Sequence, residues 1–128
     1  MSEITDPLAW AERAEEDYAL AQSALRRKRP LAYGACFHAQ QCAEKYLKAA
    51  LVAYGNSFPK THDLIALNDL CSKAGFYLAV DNDQLDASSA YAVQVRYPGT
   101  EPSPDAARQA FATAKTVGRL IRKLLGLK

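Results

Sequence analysis

The sequence predicts an all-α fold, an antiparallel up-and-down bundle of four to five helices. Three observations carry this expectation. Apolar residues recur at three- and four-residue intervals through most of the chain, the spacing of one face of an α-helix. Asp6-Pro7 and Ser103-Pro104-Asp105 each set a capping side chain before a proline, and proline at the first helical position has no intrahelical N–H bond to lose. No stretch alternates apolar and polar residues for long enough to predict a strand. Short loops between consecutive helices then make neighbours antiparallel.

Starting at Asp6-Pro7, the residues Trp10, Ala14, Tyr18, Ala21 and Leu25 place a first helix near 7–27. Its acids, Glu12, Glu15, Glu16 and Asp17, precede the basic run Arg26, Arg27, Lys28 and Arg29. That order complements the helix dipole and explains much of the charge run without a partner. Pro30 breaks the helix, and a second runs over about 31–54, closed by Gly55, the residue type that best ends a helix in the left-handed conformation. Its inward face is Cys36, Ala39, Ala43, Tyr46, Leu47, Ala50, Leu51 and Tyr54. Glu44, Lys45 and Lys48 are its only charged residues. So little charge predicts packing on more than one side, at the centre of the bundle or in a subunit interface.

After the loop Gly55–Pro59, Thr61 is expected to cap a third helix over 62–74, with Leu64, Leu67, Leu70 and Cys71 inward and Gly75 at its end. The alanine- and serine-rich segment from Asp83 to Val95 predicts a weaker fourth helix. It stops ahead of Pro98 because a residue preceding proline avoids helical geometry. The last helix follows Ser103 and carries Phe111, Ala114, Val117, Leu120, Ile121 and Leu124 on one face. The loop 97–104 holds three of the six prolines and Gly99, and is expected to be the most mobile segment.

With 128 residues, the chain is expected to form a single domain over 1–128, with its core within about 7–125. A domain of this size buries roughly two-thirds of its unfolded surface and needs no staple. A 49% hydrophobic and 23% charged composition excludes disorder. No apolar run approaches the ~20 residues of a membrane span, and the acidic start Met-Ser-Glu-Ile-Thr-Asp is unlike a secretory signal. A cytoplasmic location is therefore expected, with no membrane partner. Cys36, Cys42 and Cys71 form no C-x-x-C pair, and only His38 and His62 could complete a metal site. Buried thiols in a reducing compartment fit better than zinc, so no metal is expected. A net charge of +2 argues against strong, general nucleic-acid binding.

The string Cys36-Phe37-His38-Ala39-Gln40-Gln41-Cys42-Ala43-Glu44-Lys45-Tyr46-Leu47-Lys48-Ala49 resembles the signature of the HEPN family (higher eukaryote and prokaryote nucleotide-binding domain). Pro59-Lys60-Thr61-His62-Asp63-Leu64 and Arg96-Tyr97-Pro98-Gly99 resemble two further marks of that family, in the expected order. The resemblance spans roughly residues 7 to 125 and implies a bundle of four to five helices, commonly a homodimer. It also implies one of three roles: a metal-independent endoribonuclease using an Arg-(four to six residues)-His motif, a companion of a small nucleotidyltransferase, often in a toxin–antitoxin pair, or a nucleotide-binding module. The nuclease spacing is absent. Leu31, Ala32 and Tyr33 stand where His38 would need an arginine; Gly55, Asn56 and Ser57 stand where His62 would. Arg96 has no histidine after it. This departure points away from an enzyme and towards a dimeric partner of a nucleotidyltransferase that binds a nucleotide, ATP or GTP, with no required cofactor. The alternatives are an endoribonuclease with a non-standard site, acting on RNA through His38 or His62, and a purely structural dimer.

Six residues are candidates for holding phosphate: Arg96, Lys45, His62, Lys60, Tyr97 and His38. His38, Gln41, Lys45 and Lys48 fall on one stripe of the second helix, either as a pocket wall or as a stripe bonded to neighbouring helices. Gln40 and Glu44 sit nearer the core edge, where structural hydrogen bonds are expected. Lys60, His62 and the N–H groups at the start of the third helix offer an anion site. Arg96 shares a helical face with Leu85, Ser88, Ser89 and Ala92; the small residues leave room for a group gripped by its planar fork, or for an ion pair with Glu44. Tyr97 is placed to stack a base or to pack. Arg108, Lys115, Arg119 and Arg122 form a basic stripe on the last helix, with Lys123 beside it, either a phosphate track or an ordinary solvated face.

Overall fold

Five helices follow one another in the computed structural model, which describes residues 6–93, 99 and 101–127. They are α1 (Pro7–Arg26), α2 (Ala32–Ala53), α3 (Leu64–Lys73), α4 (Asn82–Val93) and α5 (Pro104–Leu124). No strand occurs among the described residues, so the chain is all-α.

The two cap-and-proline starts form as the residues dictate. The Asp6 carboxylate accepts the Leu8 N–H, and the Ser103 hydroxyl accepts the Ala106 N–H. At the other end of α2, Gly55 takes φ +74°, and the chain folds back so that the Asn56 N–H reaches the Leu51 carbonyl at 2.9 Å. The start of α3 differs from the expectation. Asp63 is the cap, its carboxylate accepting the Ile65 and Ala66 N–H groups, and the helix begins at Leu64. The Thr61 hydroxyl instead accepts the Asp63 N–H at 3.1 Å. A charged acceptor beside the helix N-terminus gains from the dipole, which a hydroxyl does not.

α2 is central: each of the other four helices packs against it, α1 and α5 most extensively. This accounts for its low charge within one chain. Of the expected inward face, Cys36, Ala39, Ala43, Tyr46, Leu47, Ala50 and Leu51 are buried, whereas Tyr54 is largely exposed, its ring against Phe76 at the helix end. α1 and α2 both bury alanines, Ala11, Ala14 and Ala21 on one and Ala35, Ala39 and Ala43 on the other, small side chains that let packed helices come close. α5 makes a comparable approach through Gly118. A Cβ there would stand 2.9 Å from Cε2 of the buried Tyr46 ring, so the glycine is a space requirement. Between α3 and α4, Phe76, Leu78 and Val80 are buried while Tyr77 and Ala79 are exposed, an extended alternation in a connection with no paired strand. Leu85 and Ser88 of α4 are buried, and the Ser89 hydroxyl accepts the Leu64 N–H at 2.9 Å. Of the small-residue face expected beside Arg96, Leu85 and Ser88 are thus packed and Ser89 is engaged by α3. Arg96, Tyr97, Pro98 and Thr100 lie outside the described residues.

Two stability measurements check this account. Asp63→Ala should lower unfolding free energy by about 1 kcal/mol, the usual cost of a lost cap, while Thr61→Ala should lower it by less. Gly118→Ala should lower the thermal midpoint even though alanine gains about 1 kcal/mol of helix propensity, because overpacking against Tyr46 costs about 1–3 kcal/mol.

Candidate functional site

The polar stripe of α2 meets two buried carboxylates. The first, Asp17, comes from α1 and lies on its apolar face between Ala14 and Ala21. It accepts His38 Nδ1 at 2.8 Å through Oδ1 and Lys45 Nζ at 2.5 Å through Oδ2. Seven residues separate His38 and Lys45, two helical turns, so the two side chains converge on one carboxylate from the same side of α2.

The second carboxylate is Glu44, on α2 itself. It is reached by Lys48 Nζ at 2.9 Å, one turn along, by His62 Nδ1 at 2.7 Å and by Gln40 Nε2 at 3.1 Å. Gln40 also donates to the His62 carbonyl at 3.0 Å, and its own oxygen accepts from Gln41 at 2.7 Å. Gln40 thereby ties the loop ahead of α3 to α2. Burial works to raise the Glu44 carboxyl, but the bonds from Lys48, His62 and Gln40 and the charge of Lys48 outweigh it and hold the group below its ordinary value. Lys48 is only 10% exposed. Its ammonium stands 5.7 Å from the Trp10 ring centroid and 5.3 Å from that of Phe58, a desolvated setting in which aromatic faces attract a cation by up to about 2 kcal/mol.

The outcome is two matched sets, each a buried carboxylate, a lysine and a histidine. The lysines are neutralised by the carboxylates they touch. The histidines remain accessible, His38 at 31% and His62 at 51% of the side chain. With Nδ1 of each ring turned to a carboxylate, Nε2 is the nitrogen left for a ligand. Such a nitrogen accepts a proton when the ring is neutral and donates one to an anion when it is charged.

Of the six candidates, His38, Lys45 and His62 thus belong to these sets, and Lys60 is exposed beside them in the chain. Arg96 and Tyr97 lie outside the described residues, and with them the suggested Arg96–Glu44 pair. Of the anion site expected at the start of α3, the Leu64, Ile65 and Ala66 N–H groups are bonded to Ser89 and Asp63, and His62 precedes the cap. Asp17, Trp10 and Phe58 are the participants the sequence analysis missed. An acid at helical spacing between Ala14 and Ala21 was a signal for Asp17; nothing local marked the two rings. No group of three or more metal-ligating side chains occurs among the described residues. Cys36, Cys42 and Cys71 are buried, and burial pushes the Cys71 thiol up to about 12.

A helical bundle whose central helix carries this Gln40-Gln41…Glu44-Lys45…Lys48 stripe, answered by His62 in the next loop, defines the class of the protein. A family model described as the HEPN domain matches residues 8–124, and the chain belongs to that family. Among solved structures, it is similar to the crystal structure of TT1696 from Thermus thermophilus, with a TM-score of 0.69, 24% identity and coverage of 91% of this chain and 96% of that one. This likeness shows the shared fold. No curated protein matches the chain. No helix among the described residues is long and apolar enough to cross a membrane.

Glu44 gives a signed prediction. Folding lowers its pKa, so its contribution is complete above the ordinary carboxylate value of about 4.3 and is lost as pH falls through the lower folded value. Glu44→Gln leaves Lys48 charged, buried and without its carboxylate, and should cost about 3 kcal/mol near neutrality. Denaturant titrations from pH 3 to 7 should show a shallower acid limb in the variant than in the wild type.

Proposed function

We propose that the protein is a HEPN module that binds the phosphate groups of a nucleotide, ATP or GTP, beside His38 and His62, and that it acts as a homodimeric partner of a small nucleotidyltransferase. The observation that carries the ligand is the pair of accessible imidazoles, each fixed through Nδ1 by a buried carboxylate. Fixed rings lose little freedom on binding, which favours recognition by preorganisation. The partner and the dimer are supported by family membership and by the missing Arg–His nuclease spacing. The low charge of α2 does not add to the dimer argument, because packing within one chain accounts for it.

Thermal melting with and without millimolar ATP, GTP and a short RNA tests the ligand. A nucleotide bound only by the folded state stabilises by about 2.7 kcal/mol at a hundredfold excess over Kd. The midpoint should rise with nucleotide, and the rise should disappear in the His38→Ala, His62→Ala double variant. No rise would remove nucleotide binding from the reading. Sedimentation should give twice the 14.0 kDa of one chain; a monomer mass at micromolar concentration would remove the dimer. A nucleotidyltransferase should co-purify when co-expressed from a neighbouring gene.

One observation favours a second reading. A histidine held by a carboxylate through Nδ1 is also the disposition of a general base. RNA cleavage abolished by His38→Ala or His62→Ala would establish an endoribonuclease with a non-standard site.

A further inference from the structure

The basic stripe expected along α5 is divided by the fold into two parts. Arg108 pairs with Asp105 at 2.6 Å, at the start of the helix. Lys115, Arg119, Arg122 and Lys123 instead line a cavity of about 630 Å³ where α5 lies against α1 and α2. That volume is within the range of sites for small ligands, about 300–1,000 Å³.

The walls and the floor of this cavity differ in character. On the floor lie Gly118, packed directly on the buried Tyr46 ring, and the half-buried Tyr18 ring, with the Phe111 ring centroid 4.8 Å away. The walls are cationic, and Glu15 is the one acid on the lining. Glu15 is engaged by Arg122 at 2.8 Å. Lys115, Arg119 and Lys123 have no carboxylate within ion-pair distance among the described residues. Helix-dipole compensation explains Arg122 and Lys123, both in the last turn. It does not explain Lys115 and Arg119, since the effect fades beyond that turn. Three cations with no carboxylate partner among the described residues concentrate positive potential around this concavity.

We infer that this cavity between α1, α2 and α5 binds a small phosphate monoester with a ring-bearing body, at a site separate from His38 and His62. The phosphate lies among Lys115, Arg119 and Lys123, where arginine offers a two-pronged contact and the lysines point charges. The ring lies against Tyr18 and over Gly118. A nucleic-acid strand fits less well: it needs an extended basic track, and the pairing of Arg108 with Asp105 shortens the one on α5 to the cavity rim.

Calorimetric titration of the full chain with phenyl phosphate, inorganic phosphate and phenol tests the site. Phenyl phosphate should bind, and at least tenfold more tightly than either fragment. The Lys115→Ala, Arg119→Ala double variant removes exposed side chains and should keep the wild-type melting midpoint while losing at least tenfold in affinity. The His38→Ala, His62→Ala variant should bind phenyl phosphate like the wild type, which separates this site from the proposed nucleotide site. Absence of binding, equal affinity in the Lys115/Arg119 variant, or equal loss in the histidine variant would each overturn the proposal. Binding of a short RNA that depends on Lys115 and Arg119, with none of phenyl phosphate, would overturn it in favour of a nucleic-acid face.

Discussion

The structure depends on how its central helix disposes of charge. α2 touches all four other helices, and it carries Glu44, Lys45 and Lys48 into that setting. An unpaired charge in such a place is costly, and a paired one is tolerated only when its remaining hydrogen bonds are also met. Both conditions hold. Lys48 closes on Glu44 one turn away, Lys45 reaches across to Asp17, and the two histidines and Gln40 complete the carboxylates. The arrangement draws three parts of the chain together, because Asp17 comes from α1 and His62 from the loop ahead of α3. Removing Glu44 would leave Lys48 buried and without its carboxylate, so the network favours one relative placement of the helices as well as contributing contacts.

The same economy of space governs the apolar contacts. α1 and α5 bury alanine and glycine beside α2, and aromatic rings gather at a few points: Tyr46 under Gly118, Trp10 and Phe58 beside Lys48, Tyr18 against Phe111. Close helix approach on small residues leaves the rims of the bundle, rather than its axis, as the place where side chains make concave surfaces. The cavity beside α5 and the histidine-bearing face of α2 are both rims of this kind. They occupy different sides of the same helix, one floored by Tyr46 and the other by the carboxylate sets.

Individual residues show how far the sequence could be followed. Asp6, Gly55 and Ser103 act locally, through their own φ angle or a bond two or three positions on, and each does what its type predicts. Thr61 and Asp63 compete for one helix start, and both could cap; the charged one prevails. His38 and Lys45 were identifiable as members of one stripe, but their common partner lies 21 and 28 residues away. Spacing along a helix shows which residues share a face. It does not show what the face meets.

By itself, then, the sequence determined the number and type of the elements, most of their ends, the apolar face of each helix and, through three motifs, the family. All of these rest on interactions within a few residues or on periodicity along one helix. Tertiary structure alone decided that the lysines of α2 are neutralised, that Lys48 lies against two aromatic rings and that the α5 basic stripe, Arg108 apart, lines a cavity. Those outcomes depend on the rotation and closeness of packed helices. They are set by volume at positions such as Ala14, Gly118 and Tyr46, summed over residues far apart in the chain.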